Sequence, residues 1–162
     1  MVHRNCSVEI INNSDNYTLA NPRVYTDHGH CEVPPAPMVP AGSTGNAYFN
    51  KTTGAATGAV GVFTYDLFNE QYQNYSHILA IMFSVPFDRD LYSNCFAVGI
   101  FARGTECDYN LYDIMYNGVE DCFVRSDGNG SSSCFQGEYV SVSASMSESH
   151  EAVLRVDISD NY

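Results

Sequence analysis

Residues 139–146 read YVSVSASM and alternate between apolar and small polar side chains. In an extended chain, the serines would lie on one face and the other face would carry Val140, Val142, Ala144 and Met146. A period of two residues is typical of a β-strand that buries one face. The stretch therefore predicts a half-buried strand of a β-sheet.

Other segments extend this pattern along the chain. Residues 96–100 (FAVGI) and 154–158 (LRVDI) have the same period, whereas residues 78–83 (ILAIMF) are continuously apolar. A short apolar run indicates a central strand that is covered on both faces. Turn-forming sequences such as SDGNG, residues 126–130, separate the strands. We therefore expect a mainly β fold, an antiparallel β-sandwich.

One segment, residues 108–118 (DYNLYDIMYNG), breaks the period of two. Tyr109, Tyr112 and Tyr116 recur at the spacing of one helix face, and Gly118 stands where a helix C-cap is expected. The segment predicts a short amphipathic helix with a stripe of tyrosines. We therefore expect at least one short helix packed on the sandwich.

The composition, 44% hydrophobic and 13% aromatic over 162 residues, is that of one globular domain covering residues 1–162. The chain is strongly acidic, with 19 Asp and Glu against 7 Lys and Arg and a net charge of −12. Such a surface repels phosphate backbones and anionic lipids. Nucleic acids are therefore not expected as partners.

Six cysteines occur without a C-x-x-C pair, which favours disulfides over a zinc site. Cys122 and Cys134 flank the SDGNG turn almost symmetrically, so we predict that they pair across a β-hairpin. The remaining four allow three connectivities, among which the sequence does not choose: Cys6, Cys31, Cys95 and Cys107.

Six N-x-S/T sequons mark candidate glycosylation sites at Asn5, Asn12, Asn16, Asn50, Asn74 and Asn129. With 14 Asn and 24 Ser plus Thr, chance predicts roughly two such motifs, so the excess indicates a secretory route. Together with the expected disulfides, the sequons predict a secreted, extracellular glycoprotein in an oxidising compartment.

Catalytic and metal-binding motifs are weak in this chain. It has neither a G-x-S-x-G elbow nor a P-loop, and no recognisable Ser-His-Asp arrangement. The HGHC sequence at residues 28–31 is a poor metal pattern, since a disulfide explains its cysteine better. Asp88 and Asp90 lack the spacing of an EF-hand and suit a solvated turn. We therefore predict no enzyme, metal or cofactor.

Four segments resemble the actinoporins, the pore-forming cytolysins of sea anemones and their relatives: residues 56–65 (ATGAVGVFTY), 83–94 (FSVPFDRDLYSN), 111–117 (LYDIMYN) and 146–158 (MSESHEAVLRVDI). The resemblance extends nearly without gaps from Val8 to Ile158. It implies a β-sandwich flanked by one or two short helices. It also implies a protein that binds phosphocholine headgroups, prefers sphingomyelin membranes and lines an oligomeric pore with inserted N-terminal helices.

The resemblance further implies a headgroup pocket formed by Val60, Ser84, Pro86, Tyr92, Tyr112 and Tyr116. Tyrosine faces attract a quaternary ammonium by cation–π interactions worth about 0.5–2 kcal/mol each, and hydroxyl groups donate to a phosphate. His28 stands in place of a family serine and is either a phosphate donor or a solvated loop residue. Tyr109 matches no pocket position and is expected to pack the helix on the sheet.

The chain also departs from the family. The N-terminal segment that carries the family's inserting helix is not recognised, and the chain contains no Trp. The membrane-docking loop keeps Phe87 and Leu91, has Arg89 at an aromatic position, and adds Asp88 and Asp90. Carboxylates near lipid are costly and interfacial aromatic residues anchor proteins to membranes, so docking is expected to be weaker.

Three functions remain open on this basis. The first is a secreted protein, peripheral on target membranes, that binds sphingomyelin or phosphatidylcholine headgroups. The second is a pore-forming cytolysin that assembles as a homo-oligomer on membranes, if an inserting helix or another insertion route exists. The third is a non-lytic lectin that binds glycans on the same sandwich fold, since clefts rich in Tyr and Asn suit choline and glycans alike.

Overall fold

The computed structural model describes residues 2–161, which form two β-sheets packed face to face and one outer helix. In chain order the elements are β1 (Asn5–Asn12), β2 (Tyr17–His28), β3 (His30–Val33), β4 (Met38–Val39), β5 (Thr44–Asn50), β6 (Ala59–Asn69), β7 (Asn74–Val85), β8 (Cys95–Ala102), α1 (Tyr109–Asn117), β9 (Phe123–Asp127), β10 (Ser132–Gln136), β11 (Val140–Met146) and β12 (Glu151–Asp160).

The two sheets have six strands each. The strand order is β10-β11-β12-β1-β5-β3 in the first sheet and β4-β2-β6-β7-β8-β9 in the second. Within residues 2–161, neighbouring strands are antiparallel except β1 and β12, which run parallel with Asn5 beside Glu151. The predicted β-sandwich with a short helix is therefore confirmed, with one parallel pair in an otherwise antiparallel fold.

Burial follows the alternation in the sequence. The apolar side chains of β11 are buried between the sheets, and its serines are half-buried. Strand β7 is covered on both faces, as predicted for residues 78–83. Towards the first sheet it packs Leu79, Ile81 and Phe83. Towards α1 it packs Ile78, Ala80 and Met82. Each large apolar side chain buried in this way contributes about 1.5–3 kcal/mol.

Helix α1 is held at both ends by side chains. Asp108 is the N-cap, and its carboxylate accepts a 3.0 Å hydrogen bond from the Leu111 amide. Arg125 of β9 donates to the carbonyl oxygens of Met115 and Gly118, at 2.9 Å each. Gly118 is the C-cap, as predicted, and its amide donates to the Ile114 carbonyl oxygen. A side chain does not fit here, because a Cβ atom would lie 2.7 Å from the same oxygen. Within residues 2–161, no helix has the length and apolar character needed to cross a bilayer.

The predicted disulfide between Cys122 and Cys134 is not found in the structure. Cys122 precedes β9, which pairs with β8 in the second sheet, whereas Cys134 lies in β10, which pairs with β11 in the first sheet. The SDGNG segment therefore crosses from one sheet to the other and does not close a hairpin. All six cysteines, which lie within residues 2–161, are free thiols.

Burial keeps several of these thiols unreactive. It raises the pKa of Cys6 to about 12 and the pKa values of Cys95 and Cys107 to about 11. Cys134 is exposed. Because the thiolate is the reactive form of cysteine, the buried thiols are expected to react slowly.

Two of the predicted glycosylation sites are corrected by the fold. Asn5 and Asn12 are buried, and the Asn12 amide nitrogen donates to the carbonyl oxygens of Tyr17 (2.8 Å) and Val39 (2.9 Å). Asn12 lies inside the sandwich, and Asn5 lines a surface cavity with only 5% of its surface exposed, so neither side chain has room for a glycan in the folded chain. The other sequons are exposed or half-buried and stay predictions: Asn16, Asn50, Asn74 and Asn129.

The free thiols can be counted. In denaturant without reductant, a thiol-specific reagent should titrate all six cysteines, because none is paired. In the native protein, Cys134 should react first and the buried Cys6 last. Fewer than six thiols in the denatured protein would contradict the free state.

Asn12→Ala should lower the free energy of unfolding by about 2–4 kcal/mol, because it leaves two buried carbonyl groups without their donor. Urea denaturation followed by circular dichroism measures the change. The matched control is Asn13→Ala, which removes one exposed hydrogen bond to Asp157 and should cost less than about 1 kcal/mol. Equal destabilisation by the two variants would refute the role given to Asn12.

Candidate functional site

One row of cross-strand neighbours lies at one end of the second sheet. His28 of β2 pairs with Val60 of β6, Val60 pairs with Ser84 of β7, and Ser84 pairs with Cys95 of β8. The antiparallel register therefore brings together three of the predicted headgroup residues, although they are far apart in the sequence. This row forms the base of the site.

The ATGAVGV segment contacts the FSVP segment closely at Gly58. A Cβ atom on Gly58 would lie 2.0 Å from the Val85 carbonyl oxygen and 3.0 Å from the Phe87 amide nitrogen. Any larger residue at position 58 would push the start of the loop that begins at Pro86 away from β6. The glycine thus allows Pro86 to lie beside Val60.

Helix α1 supplies the aromatic wall of the site. Tyr112 and Tyr116 are one helical turn apart, and their rings stack with centroids 5.6 Å apart and planes inclined by 16°. Tyr109 lies outside the cavity and is 52% exposed. Its ring contacts Tyr25 of β2 and Tyr112 at centroid distances of 6.3 and 6.2 Å. Tyr109 therefore supports the stripe from the side of the sheet.

These elements enclose a surface cavity of about 410 Å³, which we call the headgroup cavity. A cavity of this size suits a small polar headgroup. All seven residues predicted for the headgroup pocket line it: His28, Val60, Ser84, Pro86, Tyr92, Tyr112 and Tyr116. Phe87, predicted for the docking loop, lines it as well.

Two carboxylates that the sequence analysis missed also line the cavity. Asp27 accepts a 3.1 Å hydrogen bond from the Tyr25 hydroxyl, and its second oxygen lies 3.6 Å from His28 Nε2. Asp88 is exposed and accepts hydrogen bonds from the amides of Asp90 and Leu91. Within the described residues, the cavity wall contains no Lys or Arg side chain.

A β-bulge explains why Asp27 was missed. Consecutive residues of a regular strand point to opposite faces, so Asp27 and His28 would not be expected at one site. In β2 the register shifts between Thr26 and His28, and both side chains line the cavity. An isolated sequence gives no signal for this shift.

The phenols of the aromatic wall stay protonated. Burial raises the pKa of Tyr112 above its ordinary value, and the charge of Asp27 raises it further. Burial also raises the pKa of Tyr116, as do the neighbouring Cys95 and Tyr92. Both hydroxyl groups are therefore available as hydrogen-bond donors at neutral pH.

Basic side chains tie down the loop at residues 86–94. Arg4 donates to the carbonyl oxygens of Pro86 (3.0 Å) and Phe87 (2.8 Å). Its guanidinium lies 5.4 Å from the centroid of the Phe87 ring, and the Lys51 ammonium lies 5.8 Å from it. The loop therefore starts from a fixed position beside the cavity.

Arg89, which the sequence analysis assigned to membrane docking, instead faces the protein. Its guanidinium donates to the side-chain oxygen of Asn94 and to the carbonyl oxygen of Glu148, in the turn between β11 and β12. Leu91 and Tyr92 project from the loop, with 72% and 56% of their surfaces exposed. These two side chains form the apolar tip of the loop.

The arrangement suits the binding of a cation. Three tyrosine rings and two carboxylates surround a small open space. Within residues 2–161, no group of three or more His, Cys, Asp or Glu side chains is placed to hold a metal ion.

The family model described as sea anemone cytotoxic protein matches residues 1–160 of the chain. DELTA-stichotoxin-Hcr4b of Radianthus crispa is 38% identical over 110 residues, which are 67% of this chain and 56% of the toxin. Bryoporin of Physcomitrium patens is 32% identical over 106 residues, which are 65% of this chain and 57% of bryoporin. The chain thus spans about half the length of the curated relatives it matches.

The fold is similar to that of a solved structure, the lipid binding protein Nakanori. The TM-score is 0.74 over 98% of this chain and 72% of that chain, at 15% sequence identity. This likeness concerns the fold, and it agrees with the match of the family model along nearly the whole sequence. The resemblance to the actinoporins is therefore confirmed, and the chain belongs to the sea anemone cytotoxic protein family.

Proposed function

We propose that this chain docks on membranes by binding the phosphocholine headgroup of sphingomyelin or phosphatidylcholine in the headgroup cavity. The observation that carries the proposal is the convergence of Tyr92, Tyr112, Tyr116 and Asp27 on one cavity of headgroup size. A quaternary ammonium has no hydrogen-bond donor, so aromatic faces and nearby carboxylates are the groups that attract it.

The phosphate would lie nearer the hydroxyl groups of the cavity. Ser84, the tyrosine hydroxyls and His28 can donate to it, whereas no Lys or Arg of the described residues lines the wall. A bound headgroup must therefore carry a positive charge of its own to balance the charge of its phosphate. This requirement favours choline lipids over anionic lipids, in agreement with the net charge of −12.

The loop tip gives this binding an orientation. Leu91 and Tyr92 are exposed next to each other on the loop, and Tyr92 is part of the cavity wall. An aliphatic and an aromatic side chain at this position suit the interface between headgroups and acyl chains. Headgroup binding and shallow insertion of the loop would then occur together.

The family supports a proposal for the wider biological role. Its members are described as cytotoxic proteins, and the relatives above include a named toxin. We therefore infer that headgroup binding is the docking step of a secreted protein, peripheral on its target membrane. Assembly of several copies into a pore is the activity that this docking step would serve.

Tyr92→Ala combined with Tyr116→Ala should weaken binding to sphingomyelin/phosphatidylcholine vesicles by tenfold or more, since each cation–π contact is worth about 0.5–2 kcal/mol. Co-sedimentation with the vesicles measures the change. The matched control is Tyr72→Ala, which removes an exposed tyrosine outside the cavity and should bind as the unmodified chain does.

Dye-loaded vesicles run in parallel separate docking from lysis. Binding with dye release would support a pore-forming role, and binding without release would limit the chain to docking. Unchanged binding by the folded double variant would refute the assignment of the cavity. Absence of binding to any choline vesicle, together with binding to neutral glycans, would favour the lectin alternative.

Asp27→Asn should reduce the preference for phosphatidylcholine over phosphatidylserine vesicles, because it removes a negative charge from the cavity wall. Asp121→Asn is the control, since it makes the same change in net charge at an exposed position outside the cavity. The ratio of the two vesicle affinities at fixed salt is the measured quantity. An equal ratio change in both variants would show that Asp27 acts only through the net charge.

A further inference from the structure

A second cavity, of about 780 Å³, lies on the outer face of the second sheet beyond the start of α1. Its wall includes Arg23, Asp66, Tyr75, Ile78, Arg103 and Glu106. On β7, Ile78 is six residues from Ser84 of the headgroup cavity, a separation of about 20 Å along a strand. The two cavities are therefore distinct, and we call this one the arginine cavity.

Two β-bulges on either side of β6 shape the arginine cavity. In β2 the register shifts between Ala20 and Arg23, and Asn21 has a positive φ of 51°. In the pairing of β6 with β7 the register shifts between Asp66 and Phe68. Bulges redirect side chains, and a non-glycine residue with positive φ is uncommon. The sheet therefore departs from regular geometry beside the arginine cavity.

The redirected side chains form a connected wall. Arg23 Nη1 lies 3.2 Å from Asp66 Oδ1, and Asn21 Nδ2 donates to Asp66 Oδ2 at 2.9 Å. The same amide group of Asn21 also donates to the Tyr75 hydroxyl at 3.3 Å. Asp66 and Tyr75 are thereby held in place before any ligand arrives.

The opposite wall, residues 103–107, is also fixed at both ends. The Thr105 hydroxyl and amide donate to the Ala102 carbonyl oxygen at 2.7 and 3.1 Å. The Cys107 thiol donates to the Arg23 carbonyl oxygen at 3.4 Å. The cavity is thus preformed, which lowers the entropic cost of binding.

Among the described residues, Arg103 is the basic side chain of this cavity that lacks a polar partner, since Arg23 pairs with Asp66. Four of the seven Lys and Arg side chains donate to backbone carbonyl groups: Arg4, Lys51, Arg89 and Arg125. Arg103 makes no hydrogen bond or ion pair with any residue between 2 and 161, and its guanidinium lies 5.6 Å from the centroid of the Tyr75 ring. A guanidinium held over an aromatic ring keeps its donors free for a carboxylate.

We infer that the arginine cavity binds a saccharide that carries a single carboxylate. The carboxylate would accept the hydrogen bonds of Arg103. Asp66 and Glu106 would accept hydrogen bonds from sugar hydroxyls, and Tyr75 would contact the apolar face of the ring. An inorganic anion would leave these acceptors unused. A polyanion would be repelled by the net charge of −12.

Isothermal titration calorimetry with N-acetylneuraminic acid, and with a neutral methyl galactoside for comparison, tests this inference. The acidic sugar should bind saturably and the neutral sugar at least tenfold more weakly. Arg103→Gln should weaken binding of the acidic sugar by tenfold or more, because it removes the charged donor. The matched control is Arg155→Gln, an exposed arginine of the first sheet, which should bind as the unmodified chain does.

Absence of saturable binding of the acidic sugar would overturn the inference, as would equal binding of both sugars or full binding by Arg103→Gln. Circular dichroism of Arg103→Gln checks its fold, which should be intact because the side chain is exposed. Arg103→Gln should also sediment with phosphocholine vesicles as the unmodified chain does. Parallel loss of sugar and vesicle binding in this folded variant would show one shared site and would likewise overturn the inference.

Discussion

Burial of both faces of β7 is the constraint on which the rest of the structure depends. One face joins the two sheets through Leu79, Ile81 and Phe83, and the other face supports helix α1. Ser84 continues the row that faces the helix and is the residue of that row that lines the headgroup cavity. A register shift of one residue would exchange the two faces and would turn Ser84 towards the core.

The small set of basic side chains explains why the headgroup cavity is preformed. Arg4 and Arg89 hold the loop at residues 86–94, and Arg125 holds the end of α1. These donors satisfy backbone carbonyl groups at the points where loops and the helix meet the sandwich. The headgroup cavity is consequently left without cations, whereas the arginine cavity keeps Arg103, so two cavities on one sheet have opposite electrostatic preferences.

The residues of the headgroup cavity could be predicted where residue type and spacing in the sequence identify them. The tyrosine stripe follows from helical spacing, and the resemblance to the actinoporins supplied the strand and loop residues that line the same cavity. Asp27 could not be expected there, because a bulge in β2 cancels the alternation that separates it from His28. The inward orientation of Arg89 could not be predicted, because its partner Glu148 lies in a distant turn that only folding brings near.

The sequence by itself determined the alternating strands such as β11 and β12, the short helix and their buried faces, because periodicity is a local property that each segment carries independently. Only the tertiary structure decided which strands become neighbours. That choice sends β9 and β10 to different sheets and leaves Cys122 and Cys134 unpaired. It also buries Asn12 as a donor to the backbone and shapes the cavities through bulges, because non-local pairing sets these features and no single segment encodes it.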